Sequence, residues 1–126
     1  MPAAVARHLE RLVIGADYGA DGYTTVDQAD DLARRLQLRP GVRLLELGSG
    51  SGWPGLHLAK TSGSTIVLTD LPSHRVPLPG DGLHRAAQRA TAEGLHDRCA
   101  VLAASARRLP FAAATFDAVV SADVMC

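Results

Sequence analysis

The feature that most constrains the fold is a short apolar run that ends at alternating glycines. Residues 42–47 are mostly apolar and stop at Gly48. Because the run is short and bounded by glycine, it favours a buried β-strand over a helix. Gly48, Gly50 and Gly52 alternate with serines, and glycine allows positive φ angles and close approach of a ligand to the backbone. The pattern therefore predicts a strand followed by a glycine loop.

A helix is predicted directly after this loop. Residues 53–60 have helix-compatible apolar spacing, Pro54 suits a first helical turn, and Gly63 is suited to end the helix. A strand, a glycine loop and a helix in this order present backbone N–H groups at a helix N-terminus. This arrangement suits a nucleotide-like or anionic ligand.

Glu46 is the unusual residue of the predicted strand. A carboxylate in a buried strand costs free energy unless it is paired or solvated. We expect Glu46 to lie at the carboxyl end of a central strand and to face a ligand crevice, where it accepts hydrogen bonds from a cationic or hydroxylated ligand. The alternative is a strand-end side chain that reaches solvent.

The composition indicates one soluble globular domain at most. Of the 126 residues, 47% are hydrophobic and 21% charged. Thirteen basic and thirteen acidic residues cancel, so no charge-driven attraction to nucleic acid or to an anionic membrane is indicated. No apolar run approaches the roughly 18 residues that a spanning helix needs, and charges lie where a signal peptide needs an apolar centre. We therefore expect a cytoplasmic protein without a metal site, with Cys99 and Cys126 as free thiols.

The amino-terminal part predicts two helices joined by a loop. Residues 3–13 form the first helical pattern, and residues 25–28 fit a capping box that begins a second helix, ended by Pro40. The loop between the helices is rich in glycine and aspartate and carries Tyr18 and Tyr23. These rings either cover a ligand or pack on the protein body.

The rest of the chain, residues 40–126, alternates strand and helix patterns, whereas residues 1–39 form a helical, lid-like segment. Further strands are predicted at residues 64–70, 99–103 and 116–122, and a further helix at residues 82–94. Right-handed crossovers then predict an α/β fold with a doubly wound parallel sheet. A change of winding direction after the third strand places the fourth strand beside the first and opens a crevice at the glycine loop.

Asp70 closes the second predicted strand, 20 residues past Gly50. A doubly wound nucleotide site places at this distance the carboxylate that binds the ribose hydroxyls. A carboxylate suits a diol because it only accepts hydrogen bonds, so both hydroxyls can donate to it. The alternative is a strand-end aspartate that caps a helix.

Two ligand hypotheses compete for the loop. Residues 50–55 satisfy the dinucleotide fingerprint literally, which would indicate an NAD(P)-dependent oxidoreductase. However, residues 47–49 separate the first glycine of that fingerprint from the strand. A pyrophosphate would also be repelled by Glu46, by several kcal/mol at an effective permittivity of about 20. A ligand with a cationic amino group and a sulfonium would tolerate Glu46.

Four motifs resemble those of class I S-adenosylmethionine-dependent methyltransferases. Residues 46–52 look like the acidic-x-Gly-x-Gly-x-Gly loop of that family, and Asp70 matches its ribose-binding acid. Residues 109–111, Leu-Pro-Phe, are similar to the motif that follows the third strand in the small-molecule branch, and residues 116–121 resemble the start of the fourth strand. The resemblance covers about residues 40–126 and implies a Rossmann-like fold.

The resemblance also implies a set of contacts with S-adenosylmethionine. The glycine loop would hold the methionine end, Glu46 its amino group, Asp70 the ribose, and the remaining residues the adenine. The implied cofactor-binding residues are Glu46, Gly48, Ser49, Gly50, Gly52, Asp70, Leu71, Ser105 and Ala106. The family usually has aspartate where Ser105 stands, and we expect a loss of about 1 kcal/mol against a charged acceptor.

A second departure from the family is the end of the chain. Members continue into three further strands with their helices, so the chain matches the amino-terminal half of the fold only, preceded by two helices. Residues 118–120 would then lie at an unpaired apolar edge, which is a pairing liability. We expect a truncated chain, a fragment, or a domain that a partner chain completes.

The implied activity is methyl transfer to a small-molecule acceptor by direct displacement at the sulfonium methyl. Asp123 is the candidate general base, with His74, in the predicted irregular loop of residues 71–81, as a second. The fourth strand lacks the Asn-Pro-Pro-aromatic signature of base methylation, which together with the neutral charge argues against a nucleic-acid acceptor. The alternatives are the NAD(P)-dependent oxidoreductase and a non-catalytic cofactor-binding remnant.

Overall fold

The computed structural model describes residues 2–18, 24–71 and 82–122. Within these ranges the chain forms helices and strands in an alternating order after two initial helices. They are α1 (Ala3–Val13), α2 (Val26–Arg35), β1 (Arg43–Leu47), α3 (Gly55–Ser62), β2 (Thr65–Asp70), α4 (Gly82–Ala92), β3 (Cys99–Ala103) and β4 (Ala118–Ser121). Each of the predicted strands and helices is confirmed, with shifts of a few residues at their ends.

The strands form one parallel sheet in the order β3-β2-β1-β4. The predicted placement of the fourth strand beside the first is therefore confirmed. Because all strands run in the same direction, the carboxyl ends of β1, β2 and β4 meet at one edge. Strands β2 and β3 follow β1 on one side of it, whereas β4 returns to the other side of β1. The glycine loop after β1 therefore lies at the switch point, where open α/β sheets bind ligands.

Helix α2 shows how local sequence fixes an element at both ends. The predicted capping box is confirmed: the Thr25 hydroxyl accepts the N–H of Gln28, and the Gln28 side chain accepts the N–H of Thr25. The helix ends at Arg35, earlier than the predicted Pro40. Gln37 adopts a left-handed φ of 53°, and the Leu38 N–H donates to the carbonyl of Ala33, which is the pattern that terminates helices.

One face of the sheet packs against α3 and α4. Leu44, Ile66, Leu68 and Val120 share this face and are buried at 4% exposure or less. Helix α3 approaches the sheet so closely that a Cβ built on Gly55 would lie 2.8 Å from Cδ2 of Leu68. Glycine at this position therefore permits the helix to begin directly over β1 and β2.

The other face and the outer edge of β4 are less covered. Val119 is 55% exposed, whereas its neighbour Val120 is 4% exposed, because successive side chains of a strand point to opposite faces. Among the described residues, β4 has no strand partner on its outer side. The predicted unpaired edge is therefore confirmed for the described residues, and of its two valines only Val119 is exposed.

Within the described ranges, the helices lack the combination of length and apolar character that crossing a bilayer requires.

Candidate functional site

The glycine loop has a backbone that only glycine adopts without strain at three alternating positions. The φ angles are 69° at Gly48, 53° at Gly50 and 101° at Gly52. The Ser49 N–H donates to the carbonyl of Thr69 at 2.9 Å, and the Gly52 N–H donates to the carbonyl of Ser49 at 2.9 Å. Side chains other than hydrogen disfavour this left-handed region. The loop is therefore a fixed turn that presents main-chain groups at the edge of the sheet.

Asp70 joins this loop to the end of β2. Its Oδ2 accepts the N–H of Gly50 at 2.8 Å, and its Oδ1 accepts the N–H of Leu71 at 2.8 Å. The spacing of 20 residues thus brings the carboxylate against the middle of the loop. Leu71 is not helical, and the next helix among the described residues begins at Gly82, so the described part of the chain offers no support for the alternative role of Asp70 as a helix cap. A carboxylate has about four acceptor sites, so capacity for further donors remains.

The described residues leave the Cβ side of Gly50 open. Among the described residues, nothing lies within 4 Å of a Cβ built on Gly50. Helix α4 bounds the loop on another side, because a Cβ built on Gly82 would lie 3.0 Å from the carbonyl carbon of Gly50. The contribution of Gly82 was not predicted from the sequence, where this glycine showed only as the start of a helix.

Glu46 lies deeper than the sequence indicated. Its side chain is 1% exposed, so the alternative that it reaches solvent is wrong. A Cβ built on Gly55 would lie 2.6 Å from Glu46 Oε1, which places the carboxylate under the first turn of α3, where the helix dipole favours negative charge. Burial, with a contribution from the Glu46 charge, raises the pKa of the Cys99 thiol to about 11. Contact between Glu46 and a ligand amino group stays a prediction.

The residues expected near an adenine lie at the same edge of the sheet. Leu71 directly follows Asp70 and is 64% exposed. Ser105 follows β3 closely, and the preceding Ala104 N–H donates to the carbonyl of Asp70 at 2.9 Å. The Ser105 hydroxyl accepts the N–H of Arg107 at 3.2 Å, so this side chain also serves a local turn, while Ala106 is exposed.

The structure therefore brings most of the predicted site residues to one edge. At this edge of the sheet lie Gly48, Ser49, Gly50, Gly52, Asp70, Leu71, Ser105 and Ala106, while Glu46 is buried within β1. Other predictions fall on residues that lie outside the described ranges, namely Tyr23, His74, Asp123 and Cys126.

An aromatic and charged cluster beside the loop was missed in the sequence. The Trp53 ring lies 5.0 Å from the Tyr18 ring and 5.2 Å from the His57 ring, measured between centroids. The Trp53 indole N–H donates to the carbonyl of Thr24 at 2.8 Å. His57 Nε2 in turn lies 2.7 Å from Asp30 Oδ1. The one available clue was the position of Trp53 directly after Gly52.

Tyr18 packs on the protein body, which decides between its two predicted roles. The Arg89 guanidinium lies 4.1 Å from the centre of the Tyr18 ring, and the Tyr18 hydroxyl donates to Glu93 at 3.1 Å. Burial, followed by the negative charge of Glu93, raises the pKa of Tyr18 to about 12. Arg89 also pairs with Asp17 at 3.4 Å. These contacts fix the end of the loop after α1 against α4.

Comparison with known proteins identifies the family. Residues 44–126 match the methyltransferase domain family. This chain belongs to that family. The match begins inside β1 and includes the glycine loop, Asp70 and all three following strands, so the resemblance noted in the sequence is confirmed.

Two methyltransferases of known acceptor are similar to the chain in sequence. It is 34% identical over 95 residues to 24-methylenesterol C-methyltransferase 2 of Oryza sativa subsp. japonica, covering 75% of this chain and 24% of that protein. It is 32% identical over 107 residues to 27-O-demethylrifamycin SV methyltransferase of Amycolatopsis mediterranei (strain S699), covering 81% of this chain and 37% of that protein.

A solved methyltransferase structure shares the fold. The SAM-dependent methyltransferase from Thiobacillus denitrificans, in complex with S-adenosyl-L-homocysteine, superimposes with a TM-score of 0.62 at 25% identity. The match covers 77% of this chain and 36% of that chain. The Rossmann-like α/β fold is thereby confirmed, and the chain spans between 24% and 37% of the length of these three proteins.

Proposed function

We propose that this chain forms the cofactor-binding part of an S-adenosylmethionine-dependent methyltransferase. The observation that carries the proposal is the contact of Asp70 with the Gly50 N–H at the switch point of the sheet. In a member of the methyltransferase domain family, this contact sets a diol acceptor beside the glycine turn. The neighbour from Thiobacillus denitrificans, which holds S-adenosyl-L-homocysteine, supports the same choice of cofactor.

The residues present fit an adenosyl ligand. Open space beside Gly50, in the described part of the chain, leaves room over the loop, and the Asp70 carboxylate has acceptor capacity for two ribose hydroxyls. Leu71 offers an exposed apolar side chain on which an adenine ring would pack. Ser105 would meet the adenine edge, and Glu46 would attract the amino end of the ligand from beneath the loop.

The chemistry divides between the ligand and the protein. S-adenosylmethionine supplies a methyl group that its sulfonium already activates. The chain's own residues bind and orient the ligand, and the loop does so with a backbone that its hydrogen bonds fix in advance. A general base is not required for such a displacement, and Asp123 stays the candidate.

We propose a small organic molecule as the acceptor. The two relatives are named for a sterol and for a rifamycin, and the formal net charge of this chain is zero, which offers no electrostatic attraction for nucleic acid. A partner chain would complete the acceptor pocket and pair with the outer edge of β4. We place the protein in the cytoplasm.

A dual titration tests the cofactor assignment. Thermal shift and calorimetry of the full chain with S-adenosyl-L-homocysteine and, separately, with NAD⁺ should show binding and a raised Tm for the first ligand only. Binding of NAD⁺ without binding of S-adenosyl-L-homocysteine would support the oxidoreductase and refute the proposal. Formation of S-adenosyl-L-homocysteine from S-adenosylmethionine with a sterol or rifamycin-type acceptor separates an active enzyme from a non-catalytic remnant.

A further inference from the structure

Trp53 joins the glycine loop to the amino-terminal segment. It is the one tryptophan of the chain, it directly follows Gly52, and it is 6% exposed. Its indole contacts Tyr18 through the ring, at 5.0 Å between centroids, and Thr24 through the indole N–H, at 2.8 Å. One side chain of the loop therefore holds the amino-terminal segment at two points that are six residues apart in the chain.

The amino-terminal segment is fixed on its other side by charge. The Tyr18 ring contacts both the Trp53 ring and the guanidinium of Arg89, and its hydroxyl donates to Glu93. Arg89 donates to Glu93 at 2.8 Å and pairs with Asp17 at 3.4 Å. Helix α4 carries Arg89 and also contacts the loop through Gly82. The Tyr18 ring is therefore held by Trp53 and by α4, and each of these contacts or adjoins the loop.

Trp53 directly follows the last glycine of the loop, so the position of its side chain affects the loop backbone. Gly52 is the last glycine of the loop and has a φ of 101°. Its N–H donates to the carbonyl of Ser49, and this hydrogen bond closes the turn. A rotation of the indole away from Thr24 would pull on the residue next to this turn. The directions of the loop N–H groups, including the one that Gly50 donates to Asp70, depend on that turn. A ligand binds more tightly to groups that are already held in place.

We propose that Trp53 is a positioning residue that keeps the glycine loop in its ligand-binding geometry by anchoring it to Tyr18 and Thr24. The inference rests on the proposed cofactor site, since it concerns the affinity of that site. It assigns the amino-terminal segment, which lies outside the family match at residues 44–126, an indirect part in cofactor binding.

The variant Trp53→Phe tests the proposal, and its Tm is measured beside its Kd because the smaller ring leaves part of the buried indole volume unfilled. Phenylalanine retains an aromatic ring against Tyr18 and His57 but removes the N–H that binds Thr24. We expect the Kd for S-adenosyl-L-homocysteine, measured by calorimetry, to rise about fivefold, as for the loss of one buried hydrogen bond. Tyr18→Phe, which keeps the ring but removes the bond to Glu93, should give a smaller rise in the same direction.

A control variant separates positioning from stability. Arg98 donates to the carbonyls of Ala59 and Ser64 at 2.9 and 3.2 Å, before β3 begins and therefore at the opposite edge of the sheet. Arg98→Met should lower the Tm and leave the Kd for S-adenosyl-L-homocysteine unchanged. A positioning role moves the Kd of the Trp53 variant, whereas a purely structural role lowers only its Tm, as in the control.

The wild-type chain provides a second readout that needs no variant. Because Trp53 is the single tryptophan, its fluorescence should change as S-adenosyl-L-homocysteine saturates the site. An unchanged Kd in a folded Trp53→Phe protein overturns the proposal, and so does unchanged wild-type emission at saturation if that variant does not fold. If calorimetry shows no binding to the wild-type chain, the cofactor assignment fails and takes this inference with it.

Discussion

Replacing Asp70 by asparagine should weaken cofactor binding with almost no change of shape. The two carboxylate oxygens accept separate backbone N–H groups, from Gly50 and from Leu71, both at 2.8 Å. An asparagine amide accepts at its oxygen only, so its NH₂ group must face one of these two donors. The substitution therefore affects both the loop and the acceptor that we propose for the ribose.

The magnitude follows from the bonds that are lost. Loss of charge-assisted hydrogen bonds to two ribose hydroxyls should cost about 2–3 kcal/mol, which is a rise of about 30- to 150-fold in Kd for S-adenosyl-L-homocysteine. The unpaired backbone donor should in addition lower the free energy of unfolding by about 1–3 kcal/mol. Asp70→Ala should weaken binding at least as much, because it also removes the oxygen acceptor that asparagine keeps.

Calorimetric titration measures the Kd, and denaturant unfolding measures stability separately. Asp117→Asn is the matched control, because Asp117 also accepts a backbone N–H, from Arg43 at 2.8 Å, but lies at the amino edge of the sheet. The control should leave the Kd unchanged. A Kd for the Asp70→Asn protein within twofold of the wild-type value would refute the reasoning about the ribose, even if its stability fell.

Three further predictions follow from other parts of the structure. Gly55→Ala should lower the free energy of unfolding by about 1–3 kcal/mol, because the new Cβ would lie 2.6 Å from Glu46 Oε1; unchanged denaturant unfolding would contradict the tight packing of α3. Burial and Glu93 raise the pKa of Tyr18 to about 12, so its stabilising contribution should be complete below about pH 10 and be lost as the pH rises toward 12. The absorbance difference between the wild type and Tyr18→Phe should titrate near pH 12, and titration near pH 10 would contradict the buried site. Val119→Lys should reduce self-association measured by light scattering, since Val119 is 55% exposed on the edge strand, whereas equal scattering would show that this strand does not drive association.

Local patterns were sufficient to predict the sheet and the loop. A short apolar run that ends at glycine has few solutions, so β1 and the loop followed from Gly48, Gly50 and Gly52. The alternation of strands and helices limits the topology to parallel crossovers, and this predicted the position of β4 beside β1. Asp70 could be placed in the same crevice as the loop because both lie at the carboxyl ends of neighbouring strands, whereas its hydrogen bond to the Gly50 N–H was not predicted.

Contacts between distant parts of the chain could not be predicted in this way. The bond between Trp53 and Thr24 spans 29 residues, and no periodic pattern indicates which carbonyl an indole will meet. The burial of Glu46 depends on how closely α3 approaches the sheet, which is set by Gly55. The early end of α2 depends on the left-handed backbone of Gln37, a conformation that glutamine rarely adopts and that its sequence position does not indicate.

Amide chemical shifts during a titration with S-adenosyl-L-homocysteine measure most directly whether the ligand binds over the glycine loop. Labelling with ¹⁵N makes the backbone N–H groups of Gly48, Gly50 and Leu71 visible at once, with Gly63, at the far end of α3, as the internal reference. We predict that the three resonances at the carboxyl edge move in a saturable way while Gly63 stays in place. Saturable shifts confined to other parts of the chain, or none at any concentration, would contradict the assignment of this edge as the cofactor site.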